Sequence, residues 1–185
     1  MAGLLLTDAK LPDDLMRRFF PNLVDGVNWH RKSNATEEYN CLAWSIWTDR
    51  HYIWPDVAGN SEWDPTIPRA ETIPTVVQFL EKMGFRQTNT PTLEAGVEKV
   101  AIYANANGEP QHLARQLVGS GPYQGHWTSK LAGMVDGIHS HLNVLEGPSY
   151  GNVACILGRR FTGPPTIPDL HPKTLLISTS GRKIA

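Results

Sequence analysis

Val100-Ala101-Ile102-Tyr103-Ala104 is followed by Asn105-Ala106-Asn107-Gly108 and then by Gln111-His112-Leu113-Ala114-Arg115-Gln116-Leu117-Val118. The first run reads as a strand, the Asn/Gly segment as a turn, and the last run as the returning strand of a hairpin. Side chains alternate along a strand, so His112, Ala114 and Gln116 share one face, and Leu113, Arg115 and Leu117 the other. Gly119 to Gly125 supplies a second turn, and His126-Trp127-Thr128-Ser129-Lys130-Leu131 a third strand. A short helical piece around Leu142–Leu145, the pair Tyr150-Gly151 and a strand Val153–Leu157 complete an antiparallel meander.

The chain before residue 98 has a different period. Leu11-Pro12-Asp13-Asp14 opens a helix whose apolar face is Leu15, Met16, Phe19 and Phe20, and Pro21 stops it. Residues 22–37 read as loop. Glu38-Tyr39-Asn40-Cys41-Leu42-Ala43-Trp44-Ser45-Ile46-Trp47-Thr48-Asp49 reads as a short helix with Asn40 as N-cap and Cys41 in the first turn. Ala43, Trp44, Ile46 and Trp47 give that helix an apolar body. Arg50-His51-Tyr52-Ile53-Trp54-Pro55-Asp56 follows, and then a long irregular segment holding Trp63, Pro65 and Pro68, expected to pack on the core or to wall a cleft. Thr72 caps a further helix carrying Val76, Val77, Phe79, Leu80 and Met83, with Gly84 beyond its end. Helices first and strands afterwards predict an α+β fold, with N-terminal helices packed on a small antiparallel sheet. Residues 1–160 form one domain in this reading, and 161–185 a Pro/Ser/Thr-rich C-terminal tail.

Composition narrows the function classes. The chain has 185 residues and a formal net charge of −1, so nothing points to nucleic acid. No stretch approaches the length of a membrane-spanning helix, so no membrane partner is expected. The start, Met1-Ala2-Gly3-Leu4-Leu5-Leu6-Thr7-Asp8, lacks a basic segment, which favours a cytoplasmic location alongside export by a route that reads no signal. Two cysteines, Cys41 and Cys155, do not make a disulfide framework. No cofactor is expected, because Gly119-Ser120-Gly121 and Gly84 lack the strand-to-helix setting of a phosphate loop. His126, His139 and His141 are too weak a pattern to predict a metal, and a His-Ser-His turn is the reading preferred.

A cysteine at the positive end of a helix has its thiolate favoured and becomes a candidate nucleophile. A base must then come from elsewhere in the fold, and His112 is the best placed, with small Ala114 beside it leaving room for the cysteine helix. Ser129 and Asp136, on or after the neighbouring strand, are the candidates to orient its ring. The first-turn amides and the Asn40 side chain are the candidate oxyanion donors. Asn40, Trp44, Trp54 and Trp127 are the candidate substrate-binding residues. Taken together, this predicts a cysteine hydrolase or acyltransferase acting on an amide or ester bond. The alternative is a non-catalytic binding module that uses its Trp-rich segment as a recognition surface.

The strings Tyr39-Asn40-Cys41-Leu42-Ala43-Trp44, Glu98-Lys99-Val100-Ala101-Ile102-Tyr103-Ala104, His112-Leu113-Ala114-Arg115-Gln116-Leu117, Trp127-Thr128-Ser129-Lys130-Leu131 and Tyr150-Gly151, in that order, resemble a bacterial family of uncharacterised proteins over roughly residues 18–160. More distantly, a cysteine helix followed by antiparallel strands with a histidine is similar to the papain-like peptidases, in particular the NlpC-type cell-wall endopeptidases. That resemblance implies a papain-like, NlpC-type core and thiol-protease-like chemistry on a peptide, peptidoglycan or protein substrate. In those enzymes the catalytic histidine just precedes a Val-Gly-Ile-Tyr-like strand. Lys99 holds that position here, and His112 lies one strand later.

Overall fold

The structure is a computed structural model that describes residues 13–168 and 170. Its body is one seven-stranded antiparallel sheet, not a layer of N-terminal helices on a small sheet. Strand makes up 29% of it and helix 15%. The expected α+β, papain-like core is therefore corrected to a sheet-dominated fold with few helices. The elements in chain order are α1 (Asp13–Phe19), β1 (Trp29–Arg31), α2 (Cys41–Ser45), α3 (Ile73–Lys82), β2 (Arg86–Thr88), β3 (Val97–Ala104), β4 (Pro110–Gln116), β5 (Trp127–Lys130), β6 (Asp136–His139), a 3-10 turn (Leu142–Leu145) and β7 (Asn152–Arg160). The strand order is β1-β6-β5-β4-β3-β7-β2. Leu11 and Pro12, expected to open the first helix, lie outside the described residues, as do residues 171–185 of the expected tail.

The hairpin read from sequence is the centre of this sheet. Tyr103 pairs with His112, Ile102 with Leu113 and Val100 with Arg115. Its turn is held by the Asn105 side chain, which accepts from the amides of Asn107 and Glu109 at 3.0 Å each. Gly108 takes φ +79° in that turn, a conformation that costs a glycine little. The meander continues through β5 and β6, while β7 returns to pair with the free side of β3. Both sheet edges come from segments read as loop or left unassigned: β1 pairs with β6, and β2 with β7.

Alternation along β3 and β4 divides the core in two. On one face Val100, Ile102, Leu113 and Leu157 pack under Leu42, Ala43 and Ile46 of the α2 segment and under Val76, Phe79 and Leu80 of α3. Trp63 belongs to this core and stacks on Phe79 with ring centroids 4.7 Å apart. On the other face Ala101, Tyr103, Ala114, Trp127 and Leu131 meet Phe20, Leu23, Trp29, Val144, Leu145 and Tyr150. Beyond β7, Ile167 and Leu170 pack against the first cluster, and Phe161 stacks on Trp47. No helix among the described residues is long and apolar enough to cross a membrane.

Two lysines are wholly buried, and each is satisfied by carbonyls. Lys99 donates to Thr90 O and Thr92 O at 3.0 and 2.7 Å and pairs with Glu94. Lys130 donates to Thr36 O, Ala132 O and Met134 O at 2.7, 2.9 and 2.5 Å, which ties the β5–β6 turn to the segment before α2. Burial pulls the Lys130 pKa down to about 8, against the opposing pull of Asp136 and other nearby negative charge.

Gly137 in β6 lies beneath the Trp29 ring, and a Cβ built there would meet Trp29 Cζ2 at 2.3 Å. Trp29 is only 2% exposed and has little room to give. Gly137→Ala is expected to destabilise the protein by about 1–3 kcal/mol. Chemical denaturation reads this directly, and unchanged stability would mean that Trp29 repacks freely.

Candidate active site

The α2 helix has only five residues, so its position depends on its ends. At the start, Asn40 Oδ1 accepts from the amides of Ala43 and Ile53 at 3.1 and 3.3 Å, and Nδ2 donates to Ile53 O at 2.7 Å. One side chain therefore caps the helix and fixes the strand-like chain at Ile53 against it. At the end, the Trp47 amide donates to Trp44 O and the Thr48 amide to Ala43 O, a Schellman closure. Trp47 occupies the left-handed position, φ +68°, which is costly for a residue with a Cβ. Its indole donates to Glu98 Oε2 at 2.8 Å, and the Arg115 guanidinium lies 3.6 Å from its ring centroid. These contacts offset the backbone cost.

The cap places Cys41 as the first helical residue, 7% exposed. Burial raises its thiol to about 11, although the amides of Leu113, Leu42 and Cys41 itself, and the charge of Lys130, favour the thiolate. Desolvation outweighs those four contributions, so the resting sulfur is a neutral thiol at neutral pH. The amide of Leu113 locates the sulfur beside β4, at the residue after His112. It reaches that edge where the β4–β5 ladder stops, at the pair Ala114–Ser129.

His112 is fully buried, and neither ring nitrogen has a hydrogen-bond partner. Its ring lies parallel to that of Tyr150, centroids 4.0 Å apart, and tilted against Tyr103 at 5.5 Å. Burial holds its pKa well below 6.5, and His139 adds to that, so the imidazole is neutral. Burial raises the Tyr150 pKa well above its usual value, and Cys41 adds to that electrostatically. The approach differs from the one expected. The cysteine helix lies over the Leu113 face, while His112, packed on Tyr103 and Tyr150, and Ala114 lie on the opposite face.

The other sequence-derived residues have partners of their own. Ser129 Oγ lies 2.9 Å from His139 Nε2, and His139 Nδ1 lies 2.8 Å from His141 O. A carbonyl only accepts, so Nδ1 carries the proton, Nε2 accepts, and Ser129 donates. Asp136 accepts from the Tyr39 hydroxyl at 2.7 Å. Neither Ser129 nor Asp136 touches the His112 ring nitrogens. Asn40 uses both ends of its amide within the fold: Oδ1 accepts twice and Nδ2 donates one of its two N–H groups to Ile53 O. Trp44 donates to Thr128 Oγ1 at 3.0 Å and stacks on Tyr39. Trp54 is half-buried against the first core, and Trp127 is 3% exposed. Tyr150, stacked on His112, and His139, which helps lower its pKa, are not among the residues expected at the site. The pair Tyr150-Gly151 was visible only as a string, and His139 only as half of a His-Ser-His turn. No group of three or more His, Cys, Asp or Glu side chains among the described residues could hold a metal.

A family model described as a domain of unknown function (DUF7689) matches residues 30–158, from β1 into β7. No curated protein and no solved structure matches the chain.

Two buried neutral histidines make stability depend on pH. In the folded state burial lowers His139 to about 4, and His112 is lowered as well, whereas in the unfolded chain both titrate near 6.5. Between those values the unfolded state binds more protons, so stability is full above pH 6.5 and falls as pH drops toward 4. For His139 alone the loss by pH 4.5 is roughly 2–3 kcal/mol. Denaturation at pH 7 and pH 4.5 should show it, and His139→Asn should flatten the slope. An unchanged slope in the variant would contradict the buried neutral assignment.

Proposed function

For this chain, which belongs to the DUF7689 family of unknown function, we propose cysteine-dependent acyl transfer: hydrolysis of, or transfer from, an amide or ester bond, with Cys41 as nucleophile and His112 as base. The observation that supports this reading is the unpartnered His112 ring, one residue along β4 from the Leu113 amide that favours the Cys41 thiolate. The reading requires the thiol to meet the ring around the edge of β4 left free where the β4–β5 ladder stops. A buried polar atom left without a partner costs about 1–3 kcal/mol. A fold that retains such a group keeps a base with an open lone pair. The similarity of the cysteine helix to papain-like peptidases supports Cys41 as nucleophile and extends neither to His112, since Lys99 holds the position of their histidine, nor to the scaffold.

The chemistry starts from a neutral pair. As the sulfur bonds to the acyl carbon, the thiol proton passes to the lone pair of His112. The carbonyl oxygen gathers negative charge, and the amides of Leu113, Leu42 and Cys41, which already favour a thiolate, are the donors nearest to it. The imidazolium then gives its proton to the departing amine or alcohol, leaving a thioester on Cys41. Water, deprotonated by His112, attacks that thioester, the acid leaves, and the thiol is restored. Lys130, buried on carbonyls nearby, adds positive potential that favours sulfur-centred negative charge. The substrate is of the peptide type: a peptide, a peptidoglycan stem or a protein side-chain amide. Because His112 is depressed well below 6.5, the base stays unprotonated in mildly acidic solution. Activity should therefore persist to pH values where an ordinary histidine base is lost.

p-Nitrophenyl acetate tests the proposal. Wild-type protein is expected to acquire one acetyl group, mapped to Cys41 by peptide mass spectrometry. His112→Gln should slow that acetylation about 100-fold or more, and Cys41→Ser should abolish it, with circular dichroism unchanged in both. Equal acetylation rates in wild type and His112→Gln, or label confined to Cys155, would remove the reading.

A further inference from the structure

The face of β4 that carries His112 also carries Gln116, four residues on and about 13 Å away at strand rise. There the sheet borders a cleft of about 600 Å³, lined by Leu93, Gln116, Gly125, Trp127, His141 and Leu142 among others. Neither Cys41 nor His112 reaches it, so this cleft is separate from the candidate active site.

Gln116 is 1% exposed, and its two amide ends are treated very differently. Nε2 donates to Pro91 O at 2.8 Å and to Gly125 O at 3.4 Å. Both partners are carbonyls that only accept, so a flipped amide would set oxygen against oxygen, and the orientation is fixed. Oε1 is buried without a partner, on a residue that lines the cleft. It is a pre-oriented acceptor in need of a donor. The walls supply the rest of the specificity. Trp127, Leu93 and Leu142 offer apolar surface, and no Asp, Glu, Lys or Arg lines the cleft. A charged ligand would lose its hydration with no counter-charge in return. Its volume falls in the range of small-molecule sites.

We propose that this cleft binds a neutral carboxamide-bearing ligand, whose N–H donates to Gln116 Oε1 while its apolar or planar part lies against Trp127. The ligand chemistry follows from complementarity: a carboxamide offers two donors, carries no charge and fits beside an aromatic wall. An ester of the same shape offers no donor and leaves Oε1 bare.

Benzamide and methyl benzoate form the matched pair of probes, read by chemical-shift changes in a ¹⁵N-labelled sample of the full chain. Benzamide is expected to shift the amides of Gly125, Leu142 and Asn143 saturably and to bind about tenfold more tightly than methyl benzoate. Gln116→Met, which keeps the side-chain length and loses the acceptor, should erase that preference. Leu93 is 37% exposed at the rim, so Leu93→Trp leaves the core intact and should block both probes even if the Gln116 variant fails to fold. Equal binding of the two probes, shifts that map elsewhere, or no saturable binding of benzamide would each overturn the proposal, the last leaving a water as the partner of Oε1.

Discussion

The side chain of Asn40 bears on everything else in the candidate site. Its amide serves the helix and the chain at Ile53 at the same time, with both ends engaged. A five-residue helix is too short to be stable by itself, so its place is set by what holds its ends. Asn40 holds one, and the Schellman closure at Trp47 holds the other, with Leu42, Ala43 and Ile46 buried on the sheet between them. The position of Cys41 beside β4 follows from those two attachments. A cap whose loss costs about 1 kcal/mol in an ordinary helix here also controls where the sulfur lies.

The electrostatics of the site are governed by burial. Cys41, His112, His139 and Lys130 are all shifted toward their neutral forms, and desolvation is the leading cause for each. Lys130 and Lys99 are rescued by rings of backbone carbonyls, and His139 by Ser129 and His141. His112 has no such rescue. Among these buried groups it is the one whose hydrogen-bonding capacity is unspent.

Local signals were legible in the sequence and non-local ones were not. The hairpin around Asn105–Gly108, the Asn40 and Thr72 caps and the 3-10 turn at Leu142–Leu145 depend on residues a few positions apart, and all are present. β1 and β2 have three residues each and exist because a distant strand pairs with them, and β6 has four and lies between β5 and the distant β1, so no periodicity announced them. Their absence from the sequence reading made the helices look like a separate layer, when the early chain in fact closes both edges of the sheet. The tryptophans misled for a related reason. Trp63 and Trp127 are core residues, and composition alone does not say which side of a sheet an aromatic faces. Cys41 and His112 could be named because a helix start and a strand face are local properties. The partners of Ser129 and Asp136 could not, because His139 and Tyr39 reach them through pairings 10 and 97 residues apart.

The central claim, that Cys41 and His112 act as a pair, requires the sulfur and the ring, which start from opposite faces of β4, to meet closely enough to share a proton. 1,3-Dibromoacetone tests that most directly, because its two reactive carbons lie either side of one carbonyl and can bridge only neighbouring nucleophiles. After reaction and digestion, mass spectrometry should find the peptides of Cys41 and His112 joined by the three-carbon bridge, with no such product in His112→Gln. A cross-link from Cys41 to Lys130 or Tyr150 instead, or alkylation of Cys41 at one end only, would contradict the pairing.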